Sequence, residues 1–370
     1  MGQSIVAISS GNELMQSASA SEFSGFHHWK NPDHQSIGET TLEFLQMLSG
    51  PTHIHISGKD PSRARAVVTL LHGNEPSGLH AIHAMLKHRV EPAVDIHYFI
   101  PSVDAAKQAP GFIYRMLPHH KDLNRCFTPP YSESEQDRLA QELLRILTAL
   151  APECVIDIHN TSGSSPAFGV TTFMDERHDA LVSLFTHRMI VTDLKLGSLM
   201  EISESMMPTV TIECGGVQDP ESNLLATEGL NKYTTYENVL TLGHTDMSLE
   251  FFHNPIRLEL VEGSDIAYGD HCLLDDGVTL LPEIEHFNFG FVSPETRLGF
   301  ISGELRDCLR ANDPEGKEKL LDYFRSVDGE LYPTRRLKLF MVTTNPEIAR
   351  KDCLFYLLEA DANSDASVIL

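Results

Sequence analysis

Residues 67–75, Val-Val-Thr-Leu-Leu-His-Gly-Asn-Glu, carry an apolar run straight into a His-x-x-Glu pair, and Asp157-Ile158-His159 closes a second apolar run on another imidazole. His72, Glu75 and His159 together offer two nitrogens and one carboxylate. Such a set suits zinc and leaves a fourth tetrahedral position open for water, as catalytic sites do and closed structural sites do not. A third run, Thr209-Val-Thr-Ile-Glu213, also ends on a carboxylate and is followed by Cys214-Gly215-Gly216. A glutamate beside metal-activated water can take its proton and pass it to a leaving amine. Between these pieces lie Tyr114-Arg115 and Asp122-Leu123-Asn124-Arg125. An arginine fork holds a carboxylate through two parallel hydrogen bonds, and Asn124 adds a further donor.

Each piece alone has a plain structural reading. A histidine at a strand end is often a hydrogen-bonded neighbour of the core, and 19 histidines in 370 residues make chance His-x-x-Glu spacings common. His88 and Glu91 repeat the spacing and read as a solvated helix end. Arg125 alone would pair with an acidic neighbour on a surface loop, and Glu213 alone with a helix start. Only the set, ordered along the chain, favours a metallohydrolase.

Geometry requires particular elements around these residues. Positions three apart on a strand face opposite sides, so His72 and Glu75 converge only across a bend, which Gly73 permits. Pro76 suits the first position of a helix that continues to Arg89 with Leu79, Ile82 and Leu86 at helical spacing. Further strands are expected at 52–57, 66–71, 94–100, 154–158, 168–173 and 209–213, with helices at 134–150, near 179–187 and at 221–242. Their alternation predicts an α/β sheet covered by helices, with ligands outside the carboxyl ends of its strands. Three strand ends then point to one site.

From about residue 248 the texture changes to short apolar runs at 257–261, 277–281, 287–292, 337–343 and 353–358. The division predicted is a catalytic α/β domain over 1–247, with an irregular amino-terminal extension through 17–36, and a smaller β-rich domain over 248–370.

Composition excludes several classes. The formal net charge of −24, from 28 Lys and Arg against 52 Asp and Glu, argues against nucleic acid or an anionic membrane as partner. It also means that an anionic substrate needs local arginines. No apolar run approaches the ~20 residues of a membrane span. Residues 1–16 lack the basic start and apolar stretch of a secretory signal, and Val6 stands where a myristoylation signal wants Ser or Thr. Six scattered cysteines read as reduced thiols, so a cytoplasmic location is expected. Cys214 reads as a small buried neighbour, since no base is placed for it.

The motifs His72-Gly-Asn-Glu75, Asp122-Leu-Asn-Arg125, Asp157-Ile-His-Asn160 and Glu213-Cys-Gly-Gly216 occur in the order seen in the succinylglutamate desuccinylase and aspartoacylase family, which the chain resembles over roughly residues 66–245. The resemblance implies a zinc carboxypeptidase-like mixed sheet flanked by helices, with a carboxyl-terminal β domain narrowing the site. It implies one zinc ion on His72, Glu75 and His159, with Glu213 as general base and acid. Asn124 and Arg125 would hold a substrate carboxylate, and Arg115 would polarise the scissile carbonyl. The expected reaction is hydrolysis of the amide of a small N-acyl amino acid, of the N-succinylglutamate or N-acetylaspartate type. A zinc metallocarboxypeptidase acting on peptides is the alternative; a non-catalytic metal binder would need a lost base or ligand, and none is missing. Asp157, on the strand face of His159, is either a partner of that imidazole or a buried aspartate with no metal role. No motif locates the tyrosine that some members contribute from the carboxyl-terminal domain.

Overall fold

The apolar runs assemble, in the computed structural model, into one large mixed sheet and two smaller ones; the structure describes residues 25–242, 248–313 and 315–360. The large sheet contains β1 (His27–Lys30), β2 (Thr52–Ile56), β3 (Asp60–Thr69), β4 (Val94–Ile100), β5 (Val155–Thr161), β6 (Phe168–Thr171), β7 (Arg188–Val191), β8 (Thr209–Gly216) and β9 (Glu250–His253). Their spatial order is β1-β2-β4-β3-β5-β8-β6-β7-β9. At the centre β3, β5 and β8 run parallel, with Thr69 beside Ile158 and Ile158 beside Ile212. Antiparallel pairing of β2 with β4 and of β6 with β8 makes the sheet mixed. Every residue of β5 and β8 is buried, as expected of central strands covered on both faces.

Helices α1 (Thr41–Met47), α2 (Ser77–Lys87), α3 (Val103–Lys107), α4 (Glu135–Leu150), α5 (Glu176–Ser183) and α6 (Ser222–Thr235) flank this sheet. In α4 the buried Leu139, Ala140, Leu143, Ile146 and Leu147 recur at helical spacing and pack on Val68, Phe99 and Val155. Its start is capped by Ser134, whose side chain accepts from the Asp137 backbone N–H. On the other face α2 and α6 cover Val67, Ile96, Ile156, Val210 and Ile212. Arg65, wholly buried on β3, donates to the carbonyls of Tyr233, Tyr236 and Glu237 and so satisfies the carboxyl-terminal end of α6.

The close approach of α2 to the sheet depends on Gly78. A β-carbon there would sit 2.1 Å from Thr69 Oγ1 and 3.0 Å from Ile158 Cβ. Gly78→Ala is therefore expected to destabilise the fold by ~1–3 kcal/mol through overpacking, read as a lowered urea midpoint at unchanged slope.

The carboxyl-terminal strands are β10 (Ile256–Leu260), β11 (Ile266–Tyr268), β12 (Gly277–Leu280), β13 (Phe291–Val292), β14 (Gly299–Ser302), β15 (Leu309–Asn312), β16 (Phe324–Val327), β17 (Glu330–Pro333), β18 (Leu337–Phe340) and β19 (Phe355–Glu359). They form two five-stranded sheets, β13-β18-β19-β10-β15 and β11-β12-β14-β17-β16, around a core that includes Leu258, Leu280, Leu339 and Phe355. β9 instead extends the edge of the large sheet beside β7, and its Phe252 meets Phe340 of β18 edge to face, 5.0 Å between centroids.

Several expectations shift. Residues 27–30, read as part of an irregular extension, form β1 alongside β2; a four-residue edge strand with two histidines and a lysine carries no apolar alternation to announce it. Strand β3 begins at Asp60 and ends at Thr69, because Leu70 adopts a left-handed conformation (φ 53°). The helix expected over 221–242 ends at Thr235. The readings made on residues 1–16 lie outside the described residues. No described helix is long and apolar enough to cross a membrane.

Candidate active site

The parallel strands β3, β5 and β8 end on the same edge of the sheet, and their ends bring His72, Glu75, His159 and Glu213 around one cavity. His72 lies in the turn after β3. Glu75 closes that turn, its N–H donating to the His72 carbonyl. One ligand-type atom from each of His72, Glu75 and His159 lies within 4.8 Å of the others, and all three residues are buried. Glu75 stands between the imidazoles: its Oε1 is 2.8 Å from His72 Nδ1 and its Oε2 is 2.7 Å from His159 Nδ1.

Gly73 serves this turn differently from the sequence expectation. Its φ is not left-handed. Instead a β-carbon would lie 2.7 Å from Ala106 N and from Tyr114 O, so glycine is needed where the 105–115 backbone crosses the turn. Pro76 sits one position before the helix, as its N-cap, and the buried N–H of Ser77, which the first turn of α2 leaves without a helical partner, donates to Asn160 Oδ1 at 3.0 Å. Asn160 also donates to Ser77 Oγ and to the Gly215 carbonyl, tying the ends of β3, β5 and β8 together.

Beyond the three donors stands a layer of carboxylates. His72 Nε2 is 2.9 Å from Asp122 Oδ1, and His159 Nε2 is 2.8 Å from Asp157 Oδ2. Imidazoles bonded outward to carboxylates are characteristic of metal-ligating histidines, where the partner fixes the tautomer and raises ligand basicity. Burial pushes the His159 imidazole down in pKa, but the carboxylates of Asp157 and Glu75 raise it well above the usual histidine value. Against its own burial, Glu75 is held well below the ordinary carboxylate range by His72 and His159. Glu75, Asp122 and Asp157 thus face two imidazoles and the Arg115 guanidinium, and with both imidazoles neutral, as metal ligation requires, three carboxylates meet one fixed positive charge. Donor types and charge balance both fit a zinc ion.

Glu213 is buried, and its Oε2 has no hydrogen-bond partner among the described residues. Burial pushes its carboxyl up to about 7, with His159 opposing and Glu75 adding to the rise. Arg115 donates to Asp122 Oδ2 at 2.9 Å and reaches Glu75 Oε1 at 3.4 Å. The glycines after Glu213 admit neighbouring backbone: at Gly215 (φ 102°) a β-carbon would meet the Ser165 carbonyl at 2.8 Å, and at Gly216 the Gly163 carbonyl at 2.8 Å.

The cavity has a volume of about 130 Å³, and Asn124 and Arg125 line it together with the four residues above. Asn124 Oδ1 accepts from the Leu199 N–H, which leaves its amide NH2 as the donor. Arg125 reaches Asp352 at 3.4 Å. Much of the remaining wall is apolar, including Val170, Ile190, Leu196, Met200 and Ile348.

Asp122, Asn160, Asp352 and Tyr356 also stand at this site, in positions that the sequence reading left unassigned. Asp122 and Asn160 lay inside the quoted motifs, two residues before Asn124 and one after His159. Asp352 and Tyr356 come from the far end of the chain, where nothing local marks them. Tyr356 lines the cavity from β19. His88 and Glu91 are exposed at the end of α2, as read.

The sequence itself carries a matching signature. Residues 63–231 match the family model described as the succinylglutamate desuccinylase/aspartoacylase catalytic domain. This region belongs to that family. Solved structures share the fold: a succinylglutamate desuccinylase/aspartoacylase from Rhodobacter sphaeroides at 15% identity and TM-score 0.53, covering 83% of this chain and 88% of that one. A succinylglutamate desuccinylase from Vibrio cholerae is similar at 14% identity and TM-score 0.52, over 80% and 99% of the two chains. Murine aminoacylase 3 is similar at 16% identity and TM-score 0.51, over 82% and 96%. No curated protein matches the sequence. The family domain contains all four motifs, and the shared architecture of mixed sheet plus carboxyl-terminal β sheets runs well beyond it.

Proposed function

We propose that the protein is a zinc-dependent amidohydrolase that cleaves an N-acyl amino acid to a carboxylic acid and a free amino acid. The observation that carries this reading is the convergence of His72, Glu75 and His159 beside the unpartnered Glu213 carboxylate, in a cavity that Arg125 also lines. His72, Glu75 and His159 would hold the zinc, which when bound supplies Lewis acidity toward water and the scissile carbonyl. Glu213 takes a proton from the attacking water and returns it to the amine nitrogen as the C–N bond breaks, so that OH ends on the acyl carbon and H on the amine. Arg115 donates to the oxygen that becomes negative; a donor of this kind contributes about 3–4 kcal/mol in other hydrolases. Asn124 and Arg125 hold the amino acid carboxylate.

Two arginines line the cavity, and Arg115 is already held by Asp122. A substrate with one carboxylate and an apolar remainder therefore suits the lining better than a dicarboxylate. Residues 1–247 serve as the catalytic unit in this reading, and 248–370 as a smaller β-rich domain that narrows the site through Met341, Asp352 and Tyr356.

The test is amine release by the zinc-loaded protein from N-acetylaspartate, N-succinylglutamate, N-acyl amino acids with apolar side chains, and short peptides. Turnover of acyl amino acids supports the reading, most strongly with apolar side chains; trimming of peptides alone overturns it in favour of a carboxypeptidase. With the best substrate, Arg125→Ala is expected to raise KM by roughly 10- to 100-fold with a smaller change in kcat, since hydrogen bonds to charged groups are worth ~1.5–3 kcal/mol.

A further inference from the structure

A second constellation of metal-type donors lies on the outer part of the large sheet. The sequences His53-Ile54-His55 and Asp95-Ile96-His97 alternate with period two, so on the antiparallel pair β2 and β4 the isoleucines face the α2 side while His53, His55, Asp95 and His97 share the opposite face. His55 and His97 are direct cross-strand partners, their rings stacked with centroids 4.4 Å apart. Ligand-type atoms of His55, Asp95 and His97 all lie within 4.8 Å of one another.

We propose that His55, Asp95 and His97 form a binding site for a divalent transition-metal ion of the zinc type, separate from the site at His72, Glu75 and His159. Two imidazoles and one carboxylate are a sufficient donor set for such an ion, with water completing the coordination. His55 Nε2 is 2.8 Å from Asp95 Oδ2, and Asp95 Oδ1 is anchored by the Gly58 N–H at 2.9 Å, so one carboxylate oxygen is fixed and the other is offered. Two ligands at ~2.0–2.1 Å from a tetrahedral ion lie about 3.3 Å apart, so the pair need open only slightly to admit one.

The neighbouring histidines supply what ligating imidazoles require. His97 Nδ1 is 2.9 Å from His53 Nε2, and His53 Nδ1 is 2.9 Å from His28 Nδ1. With protons passed outward along this row, His97 Nδ1–H donates to His53 and the His97 Nε2 lone pair is presented to the ion. Access is provided by the partial exposure of His55 and Asp95, whose side chains are 21% and 15% exposed.

The full-length protein, stripped with chelator and dialysed against Zn2+, tests this directly. Zinc content is measured in three variants: His72→Gln/Glu75→Gln, His55→Gln/His97→Gln, and the combination of all four. The expected result is one zinc retained in each double variant and none in the combined one. Loss of all zinc from His72→Gln/Glu75→Gln overturns the proposal, as does retention of a second zinc by His55→Gln/His97→Gln. Should the combined variant fail to fold, the two double variants still decide. The amidohydrolase assay is not needed for the outcome, so failure of the proposed activity and failure of this site are distinguishable.

Discussion

Replacing Glu213 by glutamine is expected to lower kcat by ~10²- to 10⁴-fold while leaving the fold and metal content unchanged. Glutamine has the same shape and remains buried at the end of β8, but it cannot accept a proton from water or return one to the amine. The position suits a base: Oε2 has no hydrogen-bond partner among the described residues, and burial pushes the carboxyl up to about 7. General acid–base efficiency is greatest when the pKa lies near the working pH. The sign of the pH dependence follows. The ionised carboxylate is the active form, so wild-type kcat/KM rises with pH as Glu213 loses its proton, and the residual rate of E213Q lacks that rise. Steady-state amine release by both proteins across neutral pH checks the prediction. An E213Q enzyme within a few-fold of wild type would remove Glu213 from the chemistry.

The central sheet and its ligand-bearing edge were legible in sequence because central strands carry continuous apolar runs that end abruptly on polar residues. Val94–Ile100 has the expected bounds, and Val155–Thr161 and Thr209–Gly216 extend the expected strands by a few residues through their site-bearing ends. Short outer strands were not legible: β1 and β9 at the two edges and β7 beside β9 have four residues each, too few for periodicity to separate them from loops. The bend between His72 and Glu75 was anticipated, but its cause was not. Sequence assigns glycine conformational freedom by default, whereas at Gly73 the constraint is the backbone of 105–115, a tertiary contact invisible to local pattern. Asp352 was unreadable for the same reason, since its pairing with Arg125 spans 227 positions. Its presence also bears on substrate binding, because an incoming carboxylate must share Arg125 with a carboxylate already at hand.

Removing Glu75 is expected to abolish turnover, by at least ~10³-fold, because this carboxylate sits between both imidazoles and metal ions supply several kcal/mol of transition-state stabilisation. Its loss takes one of three donors and also ends the contact that holds His72 and His159 toward a common point. Arg115 and the Asn160 N–H, 3.4 Å from Glu75 oxygens, lose a partner as well. Glu75→Ala should therefore not be rescued by excess zinc, whereas chelator-treated wild type should recover when zinc is restored. Asp122→Asn and Asp157→Asn provide the graded comparison. Each leaves the three donors in place and weakens the outward bond of one imidazole, which typically costs 10–100-fold in metal affinity, and Asp122→Asn also loosens the hold on the Arg115 guanidinium. Their activity should return at high zinc, with the half-saturating concentration shifted by that factor. Zinc titrations of activity on the four proteins separate the cases. If Glu75→Ala recovered at high zinc as Asp157→Asn does, Glu75 would be a partner of the histidines and the ion's third ligand would have to be sought elsewhere. Glu213 is then the carboxylate to test, and it would no longer be available as the base.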